Sequence, residues 1–203
     1  MTTYTWPTGP AYTPREASLL VLHNQASSES ALSGYTQTLT RPGSRFGWRF
    51  DFSNSPEADR RALEAFIMRL RGRENRVRLW DIKAPRPVGS ANLSGVTVAA
   101  PVAAFAYSMQ LQGVGPFKTL RAGDWFATAT QLHRVVQDAT ADAGGLITVH
   151  FEHGTRYAVG AGNAITLEKP TTLYTLAASQ IEFPRVAGLA AAPFSLEFIE
   201  AFA

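Results

Sequence analysis

Residues Phe46 to Phe52, FGWRFDF, place Phe46, Trp48, Phe50 and Phe52 at every second position, with Gly47, Arg49 and Asp51 between them. Period two in so aromatic a run predicts a strand with one face buried and the other wet. Other short runs agree with a sheet-based fold. Ala17 to His23 (ASLLVLH) has the length of a buried strand, Asn24 to Ser30 reads as a polar loop, and Thr36 to Thr40 alternates weakly before a turn at Arg41-Pro42-Gly43-Ser44.

One helix is expected near residues 56–71. Ser55 can accept from a free amide of the first turn, Pro56 suits the first helical position, and Leu63, Phe66, Ile67 and Leu70 form one apolar stripe that Gly72 terminates. Arg76 to Ile82 (RVRLWDI) reads as the next strand, with Val77 and Leu79 on one side and Trp80 and Ile82 on the other. Lys83-Ala84-Pro85-Arg86-Pro87 is stiff and poor in donors, which marks a boundary.

Beyond it the composition changes. Residues 1–86 carry thirteen basic and eight acidic side chains, residues 87–203 six and eight, for an overall charge of +3. The second stretch holds an alternation of Phe105, Tyr107, Met109 and Leu111, a turn at Arg121-Ala122-Gly123-Asp124 ahead of Trp125-Phe126, and a strand over Gln131 to Gln137. A hairpin turn at Asp142-Ala143-Gly144-Gly145 then lets Leu146 to Glu152 pair back. Further strands are expected at Ile165 to Leu167, Leu173 to Leu176, Ile181 to Phe183 and Phe194 to Phe198. The fold class is mainly β: a β-sandwich-like N-terminal domain with one helix, made of 1–87 plus 158–203, and a small inserted β-barrel or sandwich over 88–157.

The chemistry-bearing residues are sparse. The absence of cysteine excludes disulfides, thiolate metal sites and cysteine nucleophiles. His150 and His153 are three apart, so on a strand they point to opposite faces and do not make a metal pair; surface or rim positions explain them better. No nucleophile elbow or phosphate-binding glycine loop is present, and Asp124, Asp138 and Asp142 all flank turns, where aspartate caps local amides. No cofactor or metal is expected. The N-terminus has no basic, then apolar, leader pattern and no apolar run is long enough to cross a bilayer, which points to folding in a cytoplasm without membrane insertion.

One charge cluster stands out: Arg69, Arg71, Arg73, Arg76 and Arg78, followed by Trp80. A solvated helix end and strand edge would explain it. So would a subunit or partner interface, because arginine and tryptophan together are typical interface anchors.

Three segments carry a resemblance. SPEADRRALEAFIMRLRGRENRVRLWDI resembles the single helix and following strand of siphophage distal tail proteins. Leu120 to Arg156, with Gly123-Asp124-Trp125-Phe126, Gln131-Leu132-His133-Arg134-Val135, Ala141-Asp142-Ala143-Gly144 and Thr155-Arg156, is similar to a module of tail-tip proteins. FSLEFIEAF resembles their closing strand. The resemblance implies a non-enzymatic homo-hexameric ring in the virion tail tip, assembled in the bacterial host cytoplasm. Its partners would be the tail tube and hub or tip proteins, with DNA only in transit through a channel. The alternatives are another minor tail, hub or adaptor protein, or a carbohydrate-binding or hydrolytic tail-tip module.

Overall fold

The computed structural model describes residues 1–52, 56–129, 131–185 and 192–202. The protein is mainly β, with one α-helix among the described residues. The first strands are β1 (Thr3–Thr5), β2 (Glu16–Leu22), β3 (Gln25–Glu29), β4 (Thr36–Thr40) and β5 (Arg45–Phe52); helix α1 (Glu57–Leu70) and β6 (Arg76–Leu79) follow. The middle of the chain supplies β7 (Thr97–Val98), β8 (Ser108–Gln112), β9 (Thr119–Leu120), β10 (Trp125–Ala127), β11 (Leu132–Val135), β12 (Ala139–Thr140) and β13 (Ile147–Glu152). The chain closes with β14 (Thr172–Leu176) and β15 (Phe194–Glu200).

A six-stranded sheet runs in the order β1-β6-β14-β15-β5-β2 and a five-stranded one in the order β10-β11-β13-β8-β7. The aromatic strand β5 lies in the first sheet between β15 and β2, and Phe46, Trp48, Phe50 and Phe52 are all buried. Each such ring withdrawn from water contributes roughly 1.5–3 kcal/mol. Gly47 between them is required by close packing: a Cβ there would come within 2.8 Å of the Phe198 carbonyl oxygen.

Two elements cover that aromatic face. At one end lies α1, whose Leu63, Phe66, Ile67 and Leu70 stripe is buried as the spacing predicts, with Trp6 stacked edge-on against both Phe66 and Phe50. At the other end Trp125 meets Phe46 (centroids 5.0 Å apart) and Trp48 (6.1 Å). Strands β10 and β11 therefore serve two cores: Trp125, Ala127 and Leu132 join the first, Phe126 and Val135 the second. This double burial explains the unbroken apolar run Trp125-Phe126-Ala127.

The three turn aspartates do cap amides. Asp124 accepts from Val88 and Arg121 (both 2.7 Å) and Gly89 (3.1 Å), tying the start of the second unit to the turn before β10. Asp142 accepts from Gly144 and Leu146. The Ala122 amide and then the Arg121 guanidinium hold the Asp138 carboxyl below its ordinary range. Asp124→Asn loses one of two accepting oxygens at a buried position and should lower stability by about 1–2 kcal/mol, read as a shift in the urea midpoint at constant slope.

Several expectations are corrected. Asn24 to Ser30 is not a loop, because Gln25–Glu29 pairs with Thr36–Thr40 in a two-stranded ribbon. Pro56 is the helix N-cap, with extended backbone, rather than the first helical residue; the Ser55 cap lies outside the described residues. The left-handed turn that ends α1 begins at Arg71 (φ 50), one residue before Gly72. Strand β8 starts only at Ser108, since Phe105 takes φ 65, and Phe105 and Tyr107 are exposed. Residues 165–167 form an isolated bridge at Thr166 and 181–183 no strand. Val159, Ile165 and Leu167 pack into the second core, beyond the boundary expected at residue 157. The closing strand β15 does pair inside the first sheet, between β14 and β5.

Candidate subunit interface

The arginines brought together by sequence are spread by the fold over three places. Arg69, exposed on α1, stacks its guanidinium 4.7 Å from the Tyr4 ring. Arg71 and Arg73 flank the turn after the helix: Arg71 pairs with Glu74 at 3.4 Å in solvent, and Arg73 donates to the Ala177 carbonyl. Arg76 and Arg78 alternate with buried Val77 and Leu79, which puts them on the outer face of the six-stranded sheet, in register with Thr3 and Thr5 of β1 and beside Leu173 of β14.

On that outer face the two arginines lie without charge partners: among the described residues, neither Arg76 nor Arg78 has an ion-pair partner, and the Arg76 Nε is buried without an acceptor. Leu20, Leu173 and Ile199, all half-buried, lie on the same face, so it combines apolar area with free guanidinium groups. Trp80 does not join them. The strand stops at Leu79, and the Trp80 ring is half-buried against the first core with the Lys169 ammonium 5.6 Å from its centroid.

A second polar group sits where the two units meet, and it has no counterpart in the sequence reading. Glu200, on the inner side of β15 and fully buried, accepts from Arg156 at 2.6 and 3.0 Å and from the Phe46 amide at 3.2 Å. Arg156 also lies 4.2 Å from the Phe202 ring and donates to the Ser44 carbonyl. His153 packs against Phe46 and His23, while the His133 Nδ1 bonds the His153 carbonyl at 3.0 Å, which assigns the proton to that nitrogen. Burial pushes the His133 imidazole down to about 3, and burial together with His23 and Arg156 pushes His153 down to about 4. Burial, then the nearby Glu200 charge, pushes the Tyr174 hydroxyl up; that hydroxyl accepts from the Trp48 indole.

Thus His153 is buried and not a rim residue, whereas His150 is exposed. Among the described residues no group of three or more His, Asp or Glu is placed to hold a metal. The signal for Glu200 was present in FSLEFIE, where Leu196, Phe198 and Glu200 share one parity: a carboxylate at a core position demands a buried cation. A search with family models finds no match, and a search of curated proteins finds no relative.

Proposed function

We propose that this protein is a structural component of a siphophage tail tip, a distal tail protein that assembles into a hexameric ring between tail tube and tip. The observation that carries the reading is the meeting of the segments that resemble that family. The helix–strand segment becomes α1 and β6, FSLEFIEAF becomes β15 of the same six-stranded sheet, and Leu120 to Arg156 forms most of the second sheet and caps the first through Trp125. The outer face bearing Arg76 and Arg78 supplies an apolar and basic surface for a neighbouring subunit. A ring subunit needs two such surfaces that are complementary rather than identical, because a head-to-tail contact closes into a ring.

Reversing both charges, Arg76→Glu with Arg78→Glu, should weaken assembly while the chain stays folded. Light scattering should then report a fall from the ring mass toward the single chain; an unchanged oligomer removes this face from the interface. Sixfold particles by negative-stain microscopy support the ring reading, and threefold particles favour a hub or adaptor.

One observation favours a glycan-binding reading. Phe105 and Tyr107, 59% and 53% exposed, flank a cleft of about 300 Å³ that also takes in Arg41 and Arg156. Exposed rings beside polar donors are a surface on which sugars stack. Glycan-array binding that is lost in Phe105→Ala with Tyr107→Ala supports this reading, and an array without signal removes it.

A further inference from the structure

The ribbon formed by β3 and β4 is an arm. Residues 25–40 continue the β2–β5 hairpin past the end of the sheet, and every one of them is exposed. Their hydrogen bonds are internal: the five register pairs from Gln25↔Thr40 to Glu29↔Thr36, and the tip bonds Ser30 to Tyr35 and Gly34 to Ser30. The arm is hinged on Asn24, whose carbonyl accepts from the Arg41 amide (2.8 Å) and whose side chain donates to the Pro42 carbonyl (2.7 Å).

An isolated two-stranded ribbon is marginal in water, and natural edge strands are protected by charge, proline or bulges. This arm carries none of these along QASSESALSGYTQTLT except the single charge of Glu29. Ala26 and Leu39 face each other across one side of it, and Leu32, Tyr35 and Leu39 stand in solvent. Strand β3 follows directly on β2, the open edge of the six-stranded sheet, where Val21 and Leu22 are also exposed.

We infer that the arm docks on a second copy of this chain by strand addition, with Leu32, Tyr35 and Leu39 as its anchors. This inference rests on the self-assembly in the reading above and names the element that performs it. The occupant follows from charge and size. A nearly uncharged edge meets its own kind without repulsion and offers nothing to select a strongly acidic or basic partner. The arm and the open β2 edge together provide about the 20–30 residues a side that a stable protein interface uses. Main-chain bonds would supply affinity, and the apolar anchors register.

The test uses two variants of the full chain. In the first, residues 25–40 are replaced by Asn-Gly, a two-residue hairpin turn that suits the existing Asn24–Arg41 closure. The second keeps the arm but carries Tyr35→Ser and Leu39→Lys, which removes two of the three anchors and guards the edge. Sedimentation velocity on the wild-type protein should show a self-assembled species. The shortened variant should sediment as the single chain, and the double variant should associate at least about 30-fold more weakly, as expected for loss of one hot-spot side chain. Both should keep a cooperative urea transition and the near-UV signature of the packed aromatic core, since the arm carries none of the core. A wild-type oligomer that both variants form equally well overturns the role of the arm and leaves self-assembly standing. A wild-type protein that never associates overturns the ring reading and the arm with it.

Discussion

Glu200→Ala should destabilise the protein by about 3–5 kcal/mol, because it leaves a buried guanidinium without its counter-charge. Arg156 is only 13% exposed at its side chain, Glu200 not at all, and the pair is bidentate. The same carboxylate accepts the Phe46 amide, so the substitution also orphans a main-chain donor in the aromatic strand. Glu200→Gln keeps an acceptor of the right shape and should cost less. In Arg156→Ala with Glu200→Ala both charges are gone, and the double variant should be more stable than the sum of the single losses predicts. Urea denaturation of the wild type, Glu200→Ala, Arg156→Ala and the double variant yields the cycle directly; a Glu200→Ala loss below about 1 kcal/mol would show that the two units are not joined through this pair.

Acid should loosen the same junction. His133 and His153 titrate near 3 and 4 in the folded protein, below the 6.5 of an unfolded chain. A depressed folded value means that the unfolded state binds more protons once pH falls below 6.5. The stabilisation is therefore full above that pH and is lost progressively down toward pH 4 and 3. Between pH 7 and pH 5 the two imidazoles together should remove about 3–4 kcal/mol. In His133→Asn the amide can still donate to the His153 carbonyl but no longer titrates, so the pH dependence should fall by about half. A stability profile that is flat from pH 7 to pH 5 would contradict the burial of these two rings.

The two responses have one origin, the packing of Phe46 and Trp48 against Trp125 with a polar group sealed beside them. Strong local periodicity was legible in the sequence: FGWRFDF, the Leu63–Phe66–Ile67–Leu70 stripe and FSLEFIE each contain their own burial pattern. What the sequence reading lacked, apart from the return of β15 to the first sheet, was most of what distant partners decide. Gln25–Glu29 has no apolar pattern because both its faces are wet, so it looks like a loop until Thr36–Thr40 pairs with it. Val159, Ile165 and Leu167 belong to the second core because the chain crosses back over β7 and β10 through bridges at Ala164 and Thr166, and no local feature encodes such a return.

The arginine cluster shows the same division. Five arginines within ten positions look like one patch on a line, yet a helix, a left-handed turn and a strand aim them differently. Only Arg76 and Arg78 share a sheet face, where period two keeps them together and sets them beside apolar neighbours from strands distant in sequence. The proposed docking face therefore rests on sheet topology rather than on the arginine run itself.

The most direct test of the central claim is the mass of the purified assembly by size-exclusion chromatography with light scattering. The ring reading predicts a species at six times the 22.0 kDa of the chain, in which the Arg76 and Arg78 face is protected from solvent. A closed dimer, or a 22.0 kDa monomer at every concentration, would contradict it.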